Sequence, residues 1–195
     1  VAEPYPEEKV LQIVGDENTD YLLFRQGKLE TYQLRPEDVN EAVADQRDFT
    51  VFNAEGSLGS SLWSFNQNPV NEKKPFYSWF TKKEFRQAMS CLLNRERIIV
   101  QTYRGLAEPM YYFFSRANPY YNPDITLRWR YDVDEARKLL KKCGMEEKGG
   151  VLYDSKGALV EFDLAIPSTS TLANDIAQII ADECAKAGIK VNVRQ

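Results

Sequence analysis

Phe85-Arg86-Gln87-Ala88-Met89-Ser90-Cys91-Leu92-Leu93-Asn94-Arg95-Glu96-Arg97-Ile98-Ile99 carries the longest helical pattern in the chain. Its apolar residues Phe85, Ala88, Met89, Leu92 and Leu93 recur at helical spacing, with Arg86, Glu96 and Arg97 off that stripe. One face is therefore core and the other solvent. The pattern runs from Glu84 to Tyr103, and Asn94 is placed to cap a second helix starting at Arg95, so a break is expected there. Downstream, Tyr131 to Gly144 repeats the logic. Asp132 and Glu135 form an Asp-x-x-Glu capping pattern, Ala136, Leu139, Leu140 and Cys143 follow at i, i+3, i+4 and i+7, and Gly144 ends the helix.

Nearer the start of the chain, Val10–Val14 has the β-branched character of a strand, Asp20–Gln26 a short helical pattern closed by Gly27, and Leu29–Leu34 a second strand. A strand, helix, strand unit closes a parallel pair, because a crossover helix joins parallel neighbours. Pro36 suits the first turn of a helix over 37–44. Val51–Asn66 reads as extended chain, with Leu62, Ser64 and Asn66 alternating against Trp63 and Phe65. Val151–Ile166 reads as a hairpin turning at Asp154-Ser155-Lys156-Gly157. A last helix over 172–187 stops at Gly188, and Ile189–Val193 returns as a strand.

The helical stretches Arg86-Gln87-Ala88 and Asn94-Arg95-Glu96, with Asp132 to Gly144 and the later Gly188-Ile189-Lys190-Val191, resemble landmarks of the family 5 extracellular solute-binding proteins. These are the oligopeptide- and dipeptide-binding components that feed ABC importers. Val10–Val14 with Asp16-Glu17-Asn18-Thr19, and Gly27-Lys28-Leu29-Glu30 with Tyr32, fall in the family's order as well; Asn94 stands where the family usually has Asp. The resemblance implies an α/β fold of the type II periplasmic-binding-protein kind. Residues 1–50 would then belong to one lobe and 51–195 to the second, with Val51–Asn66 near the hinge. It also implies a monomeric component of the periplasm or cell envelope, membrane-associated as a lipoprotein, that captures a peptide or other small solute for a membrane permease. The chain would be an internal piece of a longer protein, with the secretion signal upstream. The residues that grip a peptide's amino terminus would lie downstream, so the piece alone is expected to bind solute weakly. A solute-sensing module of a transcriptional regulator is the alternative role for such a fold, and a surface scaffold with a filled cleft is a third.

Composition narrows the classes independently. A hydrophobic share of 43% with 28% charged residues is that of an ordinary globular chain. A net charge of −4 offers no attraction to phosphate backbones, so nucleic acid is not an expected partner. No apolar run approaches the roughly 20 residues that cross a bilayer. The chain has no histidine, which removes Ser-His catalysis and histidine metal sites, and neither an enzyme activity nor a cofactor is expected. Cys91, Cys143 and Cys184 lie far apart within apolar helical patterns and are expected as buried free thiols, with one disulfide of unassigned pair as the alternative in an oxidising compartment.

Three groups are candidates for solute contact. Ser168, Thr169, Ser170 and Thr171 sit between a strand and a helix start, where hydroxyls and free backbone N–H groups can hold a carboxylate or a peptide carbonyl; the same residues are also favoured caps. Tyr111 and Tyr112 open an aromatic cluster whose flat apolar faces suit varied side chains, and core packing is their other reading. The resemblance puts Trp63, Phe65 and Asn66 beside the cleft, whereas periodicity says only that this segment is half buried.

Overall fold

Asp16 opens the first helix, its side chain accepting a 2.8 Å hydrogen bond from the backbone N–H of Thr19. This computed structural model describes residues 7–45, 48–53, 56–58, 60–124 and 129–195. By its internal contacts the chain forms two units, one up to Arg35 and one over Pro36–Gln195. In the first, helix α1 (Glu17–Arg25) ends at Gly27, whose φ of +69° a side-chain-bearing residue resists. Tyr32 folds back onto α1, with ring centroids 5.4 Å from Tyr21 and 5.6 Å from Phe24. Arg35 donates to the Asn18 side chain at 2.8 Å. The strands expected at 10–14 and 29–34 form no ladder among the described residues. A strand draws its hydrogen bonds from a neighbour; Val10, Leu11 and Ile13 instead stand exposed.

The second unit contains helices α2 (Val39–Ala44), α3 (Pro75–Phe80), α4 (Lys83–Leu92), α5 (Arg95–Gln101), α6 (Val133–Lys142) and α7 (Thr171–Ala185). Its strands are β1 (Glu146–Lys148), β2 (Val151–Tyr153), β3 (Glu161–Ala165) and β4 (Lys190–Arg194). The break expected at Asn94 is present: its side chain accepts from the Arg97 N–H at 3.0 Å and starts α5. Asp132 caps α6 through the Glu135 N–H at 2.9 Å. The buried faces of α4, α6 and α7 share one core, which includes Phe85, Met89, Leu92, Leu139, Leu140, Ile180 and Cys184. The Asp132 N–H also donates to the Cys91 carbonyl at 2.9 Å, and the Lys82 Nζ donates to the Cys143 carbonyl at 2.7 Å, so α4 and α6 are tied at both ends.

All three cysteines are buried and free. Burial pushes the Cys91 thiol up to about 11 and the Cys184 thiol up to about 12, so both stay protonated and pack as apolar groups. The segment 51–66, expected as a strand, forms none among its described residues. Ring packing rather than a ladder holds its end, where Trp63 and Phe65 turn onto the core.

The hairpin expected over 151–166 is built differently. Its turn at 154–157 forms, Leu159 bridges back to Tyr153, and the Val160 N–H donates to the Leu152 carbonyl at 2.9 Å. The main partner of β2 is nevertheless β1, joined to it through Gly149-Gly150, both at positive φ. β3 leaves the hairpin and pairs in parallel with β4, Phe162 beside Val191 and Leu164 beside Val193. Burial of Phe162 and packing of Leu164 and Val191 on the core decide that choice, and α7 is the crossover that parallel pairing requires.

The α7–β4 turn presses directly on the hairpin. Gly188 sits at φ +74°, its carbonyl accepts from the Leu152 N–H at 2.9 Å, and an added Cβ would lie 2.8 Å from that same nitrogen. Gly157, at φ +80°, has open space around it. Gly157→Ala should therefore cost only the backbone strain, about 1–3 kcal/mol, while Gly188→Ala should cost that strain plus displacement of the hairpin. Denaturant midpoints of the two variants give the comparison; equal losses would show that the close approach at Gly188 is not maintained.

Candidate functional site

In an open parallel sheet, ligands bind beyond the carboxyl ends of the strands, where the loops to the next helices open. Here that position is the β3–α7 connection. The Ile166 N–H donates to the Arg194 carbonyl at 2.8 Å, extending the pairing by one residue, and the chain then enters Pro167-Ser168-Thr169-Ser170. Ser170 is the N-cap of α7: its Oγ accepts from the Ala173 N–H at 3.3 Å. Ser168, Thr169 and Thr171 are exposed. The four residues thus divide into one structural cap and three hydroxyls offered to solvent beside the first turn of a helix.

Trp63, Phe65 and Asn66 lie elsewhere. Phe65 packs edge-on against Phe80 and Phe85, centroids 5.1 and 6.1 Å apart, and Trp63 lies 4.9 Å from Phe65 and 6.4 Å from Phe162. Both rings are half-buried parts of the core surface, while the exposed Asn66 accepts from the Asn68 N–H at 3.0 Å. Tyr111 and Tyr112 belong to the long connection after α5. The Arg95 guanidinium lies 4.5 Å from the Tyr111 ring centre, and Tyr112 packs against Phe114 at 5.7 Å. The nine expected contact residues are therefore carried by three separate segments: the approach to α3, the α5–α6 connection and the β3–α7 loop. A groove of about 390 Å³ lies at a fourth place, lined by Gly144, Glu146, Lys148, Tyr153, Asp154, Ser155 and Gly157. Its Glu146 and Lys148 pair with each other at 3.0 Å.

One charged cluster was not anticipated. Glu183, fully buried on the apolar side of α7, receives Lys186 Nζ at 2.6 Å, Arg97 Nη1 at 2.9 Å and the Tyr131 hydroxyl. Arg97 also reaches Asp182 at 3.0 Å. Burial by itself would push the carboxyl of Glu183 up, but hydrogen bonds from Lys186, Tyr131 and Arg97 outweigh it and hold the group down to about 2. The available signal was an acid within the apolar run Ile179, Ile180, Cys184. Among the described residues no set of three or more His, Cys, Asp or Glu side chains is arranged to hold a metal ion, and no helix is long and apolar enough to cross a membrane.

Comparison with known proteins adds to this geometry. The family model described as "Bacterial extracellular solute-binding proteins, family 5 Middle" matches residues 2–195. A Deinococcus radiodurans protein described as a probable ABC transporter-binding protein is 30% identical over 201 residues, covering 97% of this chain and 33% of its own. The oligopeptide-binding protein AppA of Bacillus subtilis is 27% identical over 181 residues, 84% of this chain and 33% of AppA. The structure of AppA in complex with a nonapeptide aligns with a TM-score of 0.72 at 23% identity, over 93% of this chain and 34% of that one. NikA from Brucella suis in complex with Fe(III)-EDTA also aligns at 0.72, with 19% identity over 98% of this chain and 38% of NikA. The chain spans about a third of the length of the curated relatives it matches. Its α/β fold is that of the type II periplasmic binding proteins, as the sequence led one to expect.

The buried cluster gives the fold a pH signature. Glu183 lies below its ordinary value of 4.5, so its stabilising contribution is complete above that value and is lost as pH falls from about 4.5 towards about 2. The difference corresponds to about 3 kcal/mol. Unfolding measured across this window should show that loss, and Glu183→Gln should remove most of it while lowering stability at neutral pH by a similar amount. A variant with the parent's acid profile would contradict this assignment.

Proposed function

Because the chain belongs to the bacterial extracellular solute-binding proteins of family 5, we propose that it works in solute capture for an ABC importer, taking a peptide or related small solute and handing it to a membrane permease. The single observation that carries this reading is the family match over residues 2–195. The place of action is the periplasm or cell envelope, in a monomeric, membrane-associated protein. Residues 1–50 contribute to one lobe and 51–195 to the other, and no bond is made or broken. Capture proceeds by closure of the lobes, the closed state being favoured by the contacts it adds to the solute.

The proposed contacts follow from what each segment exposes. Ser168, Thr169 and Thr171 present hydroxyls at the start of α7, suited to a peptide carbonyl or carboxylate. Tyr111 and Tyr112 present ring faces, suited to apolar side chains of any shape. Trp63 and Phe65 give the core edge beside Asn66 its form, and the solute meets what of their rings remains exposed. A peptide is the preferred solute because hydroxyls can meet its repeating carbonyls while ring faces take side chains of any shape, so that many sequences are accepted.

A thermal-shift screen of the intact protein against short peptides, oligosaccharides and metal chelates tests the reading. Peptides at about 100 times Kd should stabilise it by about 2.7 kcal/mol. No shift with any class, in a protein shown empty by native mass spectrometry, would overturn it. The β3–α7 loop can be tested apart from the fold. Ser170→Ala should lower stability by about 1 kcal/mol with affinity nearly unchanged, whereas Ser168→Ala combined with Thr169→Ala and Thr171→Ala should lower affinity at nearly constant stability. The reverse pattern would make the loop a purely structural cap.

A further inference from the structure

The connection from α5 to α6 runs over residues 102–132, without a helix or strand among its described residues. Connections beyond about 12–15 residues are uncommon in compact domains and are usually functional. Such a loop needs a pin if it is to present side chains in one arrangement. Arg95, the first residue of α5, supplies one. Its Nε donates to the Met110 carbonyl at 2.7 Å, and its guanidinium lies 4.5 Å from the centre of the Tyr111 ring. The other end of the fork is fixed to the rigid end of α4, with Nη1 donating to the Ser90 carbonyl and Nη2 to the Ser90 Oγ, both at 3.2 Å.

What lies beyond this pin is an aromatic surface. Phe114 contacts Tyr112, Phe113 and Tyr120 at centroid distances of 5.7, 5.2 and 5.8 Å. Phe113 and Tyr120 are 64% and 74% exposed, so their rings are turned outward. We propose that Arg95 is a positioning residue for solute recognition, holding Met110–Phe114 so that its rings receive an apolar or aromatic side chain of a bound peptide. The inference rests on the reading of Tyr111 and Tyr112 as solute contacts and deepens it. Arg95 acts through Tyr111 and Met110, without touching the solute. Lysine cannot replace it, because only the planar fork can reach Met110 and Ser90 while lying against a ring.

The test uses the intact protein with Arg95→Lys and Arg95→Ala. Hydrogen exchange over residues 107–121 reads the pin. Calorimetry with a pentapeptide of alternating glycine and phenylalanine, and with pentaglycine, reads its consequence. Arg95→Lys should speed exchange across 107–121 about tenfold while leaving α4 and α6 unchanged, and should weaken the phenylalanine peptide about tenfold but pentaglycine less than about twofold. Loop exchange at the parent rate in both variants would overturn the proposal, as would equal weakening of the two peptides. A parent protein that binds neither peptide would sink the solute-contact reading beneath it, whatever the exchange result. Should Arg95→Ala fail to fold, the lysine variant decides.

Discussion

Five aromatic rings from four parts of the chain meet in one cluster: Trp63 and Phe65 ahead of α3, Phe80 at the end of α3, Phe85 on α4 and Phe162 on β3. Their centroids lie 4.9 to 6.4 Å apart, mostly tilted or edge-to-face, the arrangements that the ring quadrupole favours. The cluster pulls Phe162 inward, and burying Phe162 turns β3 away from its hairpin neighbour. β3 pairs with β4 in parallel, and α7 is the crossover that joins the two.

A parallel pair with a helical crossover places one loop at the carboxyl end of its first strand, and this is where exposed hydroxyls occur beside the first turn of α7. The opposite end of α7 is fixed by two devices. Glu183 joins it to Arg97 on α5 and to Tyr131, and Gly188 lets the turn into β4 lie against the β1–β2 hairpin. The crossover is thereby anchored near its C-terminus, while its N-terminus carries the Ser170 cap and exposed hydroxyls.

How much of this was legible in the sequence depends on the range of each interaction. Helices α4, α5, α6 and α7 announced themselves, since their apolar period and their caps at Asn94, Asp132 and Ser170 are local. The strand expected over 189–193 is present as β4, and β2 and β3 fall within 151–166, but the pairing of strands was not legible, because a ladder needs a partner that the local sequence does not name. The segment 151–166 alternates as a hairpin should, yet β3 found its partner 29 residues further along, at the register Glu161 to Lys190. β1, written Glu-Glu-Lys and exposed, carries no burial signal at all. Short α3 was hidden because its aromatic residues suit a strand equally well. Of the candidate site, the β3–α7 loop was visible as a cap and hydroxyl cluster, while the role of Arg95 was not, since Met110 and Tyr111 come into its reach only once the connection after α5 is folded.

A captured solute should lie against the β3–α7 loop, in preference to the groove lined by Gly144 to Gly157. Hydrogen exchange of the intact protein, with and without a saturating mixture of short peptides, tests it most directly. Protection should be gained over residues 166–173 and 110–114, with the β1–β2 hairpin unchanged. Protection confined to residues 144–157, or none anywhere, would contradict it.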